Sequence, residues 1–241
     1  MHKEIHKWYS KALFKDMEIA VYGNYGYALL LFPTAAADFL EYERFHLIYS
    51  IGHHIKSGKI KVFCVNTVNN ECILNSKNEP GHRSIRHGQF NNYIISEVVP
   101  FIHSHCKGVV PIVTAGASVG AYHAANLFFQ RPDIFSGMIA MSGVYDIKYY
   151  VRDYYDDHCY FNSPVDYLPN ITDHSVLEQM RKSTIVIASG QGAYEDPESS
   201  RRLSDILNAK SVPHWLDLWG HDMRHDWPTW RAMLPYFIDK I

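Results

Sequence analysis

The sequence predicts an α/β fold with a doubly wound, mainly parallel sheet and helices on both of its faces. Short apolar or β-branched runs alternate along the chain with segments whose apolar residues recur at helical spacing. Runs such as residues 184–190 are almost continuously apolar, as expected for strands covered on both faces by helices. The alternation favours parallel strands joined by helical crossovers in one layered domain spanning residues 1–241.

The individual elements follow from these patterns and from the residues that separate them. Strands are predicted at residues 18–23, 28–32, 61–68, 110–116, 137–143, 184–190 and 214–220. Helices are predicted at residues 39–56, 90–106, 119–130, 198–209 and 229–238. Pro228 suits the first turn of the last helix, where its missing N–H is not needed.

Residues 145–170 interrupt this alternation with a segment rich in Tyr, Asp and Pro. One interpretation is a long surface connection, and the other is a cap over a pocket, since long connections in compact domains are often functional. The density of aromatic residues slightly favours a wall against the substrate.

Composition restricts the partners of the chain. Its 241 residues are 47% hydrophobic, enough for one well-buried core, and a net charge of −2 offers no basic face for nucleic acid or an anionic membrane. The first residues lack the apolar core of a signal peptide, and the four cysteines lack paired spacing, so we expect reduced thiols and a cytoplasmic location. The sequence leaves open whether the chain forms a homo-oligomer.

The strongest chemical signal is a serine between two glycines, Gly116-Ala117-Ser118-Val119-Gly120. A predicted strand precedes it and a predicted helix follows it, which is the context of a nucleophile elbow. Small residues are needed because a Cβ at either glycine would collide with a neighbouring element. Ser118 is therefore the candidate nucleophile, and it requires a histidine base and an orienting acid later in the chain.

Two histidines follow the last predicted strand, where the base should lie. His225 precedes a rigid helix entry with two tryptophans, whereas His221 precedes a flexible stretch, so His225 is favoured. For the acid, the loop after residue 190 offers Glu195 and its neighbour Asp196. The spacing from Gly192 favours Glu195, and Asp196 could instead cap the next helix.

These segments resemble the putative-esterase branch of the α/β-hydrolases, which includes esterase D, enterochelin and feruloyl esterases and mycolyltransferases. The resemblance runs from about residue 28 to residue 241. It is carried by residues 116–146, by "YFNSPVDYLPN" and by the tail "HDWPTWRAMLPYF", in which His225 is followed five positions on by Trp230.

The resemblance implies an α/β-hydrolase fold and hydrolysis of small to medium carboxylic esters through an acyl-serine, with no metal or organic cofactor. It also implies an oxyanion hole built from the N–H of Val119 and an N–H in the loop after residue 32. Ala35 is the best candidate for that second donor, with Thr34 and Ala36 close by. The loop departs from the family pattern, because relatives often carry glycine there.

Other functions stay open at this stage. An acyltransferase would use the same three residues, and a catalytically silent binding protein could share the fold. Metal binding by residues 103–106 or 156–159 is not favoured, because neither segment has the spaced pairs of a structural zinc site.

Overall fold

The computed structural model describes residues 1–35, 37–151 and 153–241. Its centre is an eight-stranded sheet in the order β1-β2-β4-β3-β5-β6-β7-β8. The strands are β1 (Lys3–Ser10), β2 (Lys15–Tyr22), β3 (Tyr27–Phe32), β4 (Ile60–Val65), β5 (Ile112–Ala117), β6 (Gly137–Met141), β7 (Thr184–Ser189) and β8 (Trp215–Leu218). Strands β3 to β8 pair in parallel, while β2 is antiparallel to both of its neighbours, β1 and β4. The predicted mainly parallel sheet is confirmed.

Helices cover both faces of this sheet. They are α1 (Glu41–Arg44), α2 (Leu47–Ser50), α3 (Gly52–Lys56), α4 (Pro80–Tyr93), α5 (Val99–His105), α6 (Val119–Gln130), α7 (Lys148–Val151), α8 (Asp157–Phe161), α9 (Pro164–Tyr167), α10 (His174–Lys182), α11 (Pro197–Ala209) and α12 (Trp227–Lys240). Residues of α1 to α3 and α12 form the core on one face, and residues of α4 to α6 and α9 to α11 form the core on the other. Within the described residues, no helix is both long and apolar enough to cross a membrane.

The strands alternate their side chains between these two cores. In β3, Leu30 and Phe32 belong to one core while Leu29 and Leu31 belong to the other, and all four are fully buried. Because both faces are covered, the strand needs apolar residues at every position. This explains why the central strands lack the polar–apolar alternation of a half-exposed sheet.

Four differences from the predicted elements have local causes. Strand β1 was not predicted, because its outward positions carry charged and polar residues typical of an edge. Helix 39–56 is three short helices, because His46, with a left-handed φ of 62°, separates α1 from α2, and Ile51 separates α2 from α3. The helix predicted at 90–106 begins ten residues earlier at Pro80, capped by Glu79, and passes through a π-helical turn at Ile94–Val98. Helix α10 was missed because most of its residues are polar.

Residues 145–170 fold into short helices α7, α8 and α9 and a 3₁₀ turn at Leu168–Asn170. The buried Asn162 side chain accepts hydrogen bonds from Asn91 of α4 and Asn126 of α6, at 2.6 and 2.8 Å. Tyr122 of α6 donates to the Asn162 carbonyl oxygen at 2.7 Å. The segment is therefore packed onto the helices beside the sheet.

The tightest backbone approach in the fold lies where β5 turns into α6. A Cβ on Gly120 would lie 2.1 Å from the Phe32 carbonyl oxygen and 2.9 Å from that of Pro33. A Cβ on Gly116 would lie 2.3 Å from the backbone carbon of Gly120. Both glycines are required because the colliding atoms are backbone atoms, which cannot move aside as a side chain can.

We expect Gly120→Ala to lower the free energy of unfolding by about 3 kcal/mol, because its methyl group overpacks the end of β3. Gly52→Ala is the matched control, since a Cβ at Gly52 meets no atom within 4 Å. In helix α3 that alanine should be neutral or stabilise by up to about 1 kcal/mol. Urea denaturation measures both, and equal stability of the two variants would contradict the steric argument.

Candidate active site

Ser118 lies in the turn between β5 and α6, at the carboxyl edge of the sheet. Its backbone has φ of 56° and ψ of −122°, a strained conformation for a residue with a side chain. The turn is held by a hydrogen bond from the Ser118 N–H to the Met141 carbonyl oxygen, at 2.9 Å. The residue is only partly buried, so its hydroxyl group is reachable from solvent.

His225 lies in the loop between β8 and α12, and its ring contacts the serine. The Nε2 atom is 3.0 Å from the Ser118 Oγ. The His225 backbone N–H donates to the Ala193 carbonyl oxygen at 3.0 Å, and the edge of the ring packs against Trp230 with centroids 5.2 Å apart. Backbone and ring are thus held from two directions, and the packing on Trp230 gives a physical reason for the His-to-Trp spacing.

Glu195 lies beneath this ring in the loop after β7. Its Oε2 is 3.3 Å from His225 Nδ1, and its side chain is fully buried. Ser142 donates to Oε1 at 2.7 Å, and Ser189 lies 3.2 Å from Oε2. Because a carboxylate only accepts, Nδ1 carries the imidazole proton, which leaves Nε2 to accept the Ser118 hydroxyl proton.

The Glu195 carboxyl stays ionised although its side chain is buried. Burial raises the pKa of this carboxyl, but the hydrogen bonds from His225 and Ser142 outweigh burial and hold the pKa below its ordinary value. The group is therefore an anion at neutral pH. Trp230 supports the arrangement by donating from Nε1 to Ser142 Oγ at 3.0 Å, which orients that hydroxyl towards Glu195.

The two alternative residues from the sequence lie elsewhere. Asp196 is the N-cap of α11, and its side chain accepts from the Ser199 N–H at 3.4 Å. His221 is exposed, and its Nδ1 lies 3.2 Å from the Gln191 carbonyl oxygen. Neither side chain belongs to the hydrogen-bonded chain that joins Ser118, His225 and Glu195.

Backbone hydrogen bonds join the loop that carries the acid to the loop that carries the base. Gly192 donates to the Met223 carbonyl oxygen at 2.8 Å, and Gln191 donates to that of Gly220 at 3.3 Å. A Cβ on Gly190 would lie only 2.2 Å from the Met223 oxygen. The loops can approach this closely because glycines face the contact, and the approach brings residues 195 and 225 together.

The proposed oxyanion donors border the same turn. The start of α6 contacts the end of β3, so the loop that contains Thr34 and Ala35 lies beside Ser118. Within the described residues, the backbone N–H groups of Val119 and Ala35 donate no hydrogen bond to the protein. Thr34 differs, because its N–H donates to the Glu41 carboxylate at 2.7 Å. Ala36 lies outside the described residues.

Side chains hold this loop from two sides. Thr34 also donates from Oγ1 to Glu41 at 2.6 Å, so both oxygens of that buried carboxylate are used. On the other side, Asn69 donates to the Ala35 carbonyl oxygen at 2.6 Å and accepts from His123 Nε2 at 2.8 Å. Burial and the neighbouring His87 hold the pKa of His123 well below its ordinary value, so it is a neutral donor.

Sequence reasoning missed these supporting residues. Ser142 directly follows β6, so its place at the carboxyl edge could have been inferred from the strand pattern. Asn69 and Glu41 lie outside any recognisable motif, and only their three-dimensional contacts reveal them.

Comparisons with known proteins identify the family of the chain. Residues 10–237 match the family described as Putative esterase. No protein of curated function matches the sequence significantly.

Solved structures show the same fold at low sequence identity. A ferulic acid esterase aligns with a TM-score of 0.78 and 18% identity, covering 99% of this chain and 97% of that one. An S-formylglutathione hydrolase from Staphylococcus aureus aligns with a TM-score of 0.68 and 17% identity, covering 100% of this chain and 99% of that one. MPT51 from Mycobacterium tuberculosis aligns with a TM-score of 0.74 and 14% identity, covering 100% of this chain and 98% of that one. By its family match over most of its length and by its fold, the chain belongs to the Putative esterase family of α/β-hydrolases.

Proposed function

We propose that this protein is a serine carboxylesterase in which Ser118 is the nucleophile, His225 the general base and Glu195 the orienting acid. The observation that carries the proposal is the continuous chain of contacts from Ser118 Oγ to His225 Nε2, at 3.0 Å, and from His225 Nδ1 to Glu195, at 3.3 Å. A serine hydroxyl is a weak nucleophile until a base removes its proton, and this arrangement supplies the base.

The reaction follows from the positions of the protons. Ser118 attacks the ester carbonyl while His225 takes the hydroxyl proton, and Glu195 stabilises the imidazolium that forms. The negative oxygen of the tetrahedral intermediate accepts from the N–H groups of Val119 and Ala35. His225 then returns the proton to the leaving alcohol, and a water molecule activated by the same ring releases the acid from the acyl-serine.

A cavity of about 420 Å³ is the candidate binding site for the rest of the substrate. It is lined by Ile73, Leu74, Ser76, Arg83, Tyr149 and Tyr150. The Tyr150 ring packs against Tyr122, which lies one helical turn after Ser118. Tyr149 and Tyr150 belong to residues 145–170, which supports the proposal that this segment faces the substrate, and the cavity volume suits a small to medium ester.

We expect Ser118→Ala to abolish labelling by a fluorophosphonate probe and hydrolysis of p-nitrophenyl acetate. His225→Ala should lower kcat by roughly 10⁴- to 10⁶-fold, because the serine proton then has no acceptor. His221→Ala is the control and should stay within about threefold of the parent, since its ring contacts a loop carbonyl. Labelling that survives Ser118→Ala, or an equal loss in His221→Ala, would refute the assignment.

The depressed pKa of Glu195 predicts a pH-dependent contribution to stability. A carboxyl whose pKa is lower in the folded state stabilises the fold above its unfolded pKa, and this contribution is lost as the pH falls through the folded pKa. The parent protein should therefore lose more Tm than Glu195→Gln between about pH 5 and pH 3. Calorimetry across this range measures the difference, and parallel profiles would contradict the proposed ionisation.

Asn69 is expected to position the oxyanion loop without touching substrate. Asn69→Ala should lower kcat about 10- to 100-fold with little change in KM, below the loss for removal of an oxyanion donor. Asn66→Ala is the matched control, because Asn66 donates to Glu18 at 3.0 Å and is not bonded to Ala35. An unchanged kcat in folded Asn69→Ala would show that its hydrogen bond to Ala35 does not support catalysis.

A further inference from the structure

Three histidines and a glutamate converge between the edge strand β1 and the end of helix α5. Glu4 Oε2 lies 2.9 Å from His6 Nε2 and 3.1 Å from His105 Nε2. Glu4 Oε1 lies 2.6 Å from His2 Nε2. The catalytic proposal uses none of these residues.

The fold brings these side chains together for two reasons. Glu4 and His6 are two positions apart in β1, so their side chains point to the same face of the sheet, towards α5, and His2 lies just before the strand begins. His105 is the last residue of α5 and meets them from the opposite side. The four side chains therefore come from two separate parts of the chain, the start of β1 with the residue before it and the end of α5.

Aromatic packing fixes the two central rings. The His6 ring packs against Phe101 with centroids 5.1 Å apart, and the His105 ring packs edge-on against Phe63 at 5.8 Å. The two imidazoles lie 5.2 Å apart at an interplanar angle of 85°. Rings held in this way lose little conformational freedom when they bind a ligand.

We propose that His2, Glu4, His6 and His105 form a binding site for a divalent transition-metal ion, with Zn²⁺ as the best match. The donor atoms of Glu4, His6 and His105 all lie within 4.8 Å of one another. Zn–N and Zn–O bonds of about 2.1 Å place tetrahedral ligand atoms about 3.4 Å apart, so small side-chain shifts suffice. Imidazole and carboxylate together are the ligand types that zinc accepts.

Local charge supports a cation here. Glu4 supplies a carboxylate at the centre of the cluster, and its two oxygens lie 2.6 Å from His2 Nε2 and 2.9 Å from His6 Nε2. Lys61 Nζ donates to the backbone carbonyl oxygen of His105 at 3.3 Å. This hydrogen bond does not involve the imidazole nitrogens of His105, which can therefore bind a metal.

The site lies far from the catalytic residues. Strand β1 is at the edge of the sheet, and β2, β4 and β3 lie between it and β5, the strand that leads into Ser118. Four strand spacings also separate β1 from β5, about 19 Å in all. Three of the four ligands precede residue 10, where the family match begins. The metal would therefore fasten the edge strand to α5 and take no part in ester hydrolysis.

The test uses the full chain, purified without a polyhistidine tag and stripped with a chelator. Titration calorimetry with Zn²⁺ should give one site, and a stoichiometric addition should raise Tm. Glu4→Gln and His105→Ala should each weaken binding by at least about 100-fold, since loss of an outer-shell partner alone costs roughly 10- to 100-fold. His53→Ala, an exposed histidine on α3, is the control and should bind as the parent does.

Cobalt(II) gives a second measurement that does not depend on stability. The parent should show the intense visible absorption of a tetrahedral site, and Glu4→Gln should lose it. Absence of stoichiometric binding by the parent, or unchanged binding in Glu4→Gln, would overturn the proposal. Esterase activity should be the same with and without the metal, so failure of this inference and failure of the catalytic proposal can be told apart.

Discussion

The geometry of the proposed active site depends on the backbone of one residue, Ser118, held at a φ of 56° between a strand and a helix. That conformation lifts the side chain out of the sheet and turns the first N–H groups of α6 towards the same space. It can exist only because Gly116 and Gly120 let the strand, the helix and the end of β3 approach to distances that any Cβ would prevent. The strain at one residue is thus balanced by packing that surrounds it on three sides.

The rest of the site is held by contacts between loops that are distant in sequence. The loops after β7 and β8 pair through their backbones, which sets Glu195 under His225 before any side-chain bond is considered. Trp230 then orients both the imidazole, by ring packing, and Ser142, by a hydrogen bond. Trp230 therefore contacts both the His225 ring and the hydroxyl group that helps to keep Glu195 ionised.

Most of this arrangement could be predicted from the sequence, because strongly apolar strands and glycine-flanked turns are local signals. The parallel strands, helix α6 and the placement of Ser118 could be predicted from such signals, as could the placement of His225 at a rigid helix entry. Strand β1 could not, since an edge strand with exposed charged residues has no periodicity that stands out. Nor could the roles of Asn69 and Glu41. Asn69 contacts Ala35 and His123, which are 34 and 54 positions away, and Glu41 contacts Thr34, 7 positions away in a loop without a recognisable motif.

The side chains of His225 and Glu195 differ in their exposure to solvent, and this difference has a chemical reason. Glu195 is fully buried, where its attraction to an imidazolium is least screened, while the His225 side chain stays 26% exposed. In the proposed reaction His225 must meet both a leaving alcohol and an incoming water molecule, so burying it as deeply as Glu195 would obstruct the second half of that reaction. Burial of the acid is tolerable because Ser142 and Ser189 stand where water would otherwise solvate the carboxylate. The buried hydroxyls thus allow an anion inside the core while its partner stays accessible at the edge of the sheet.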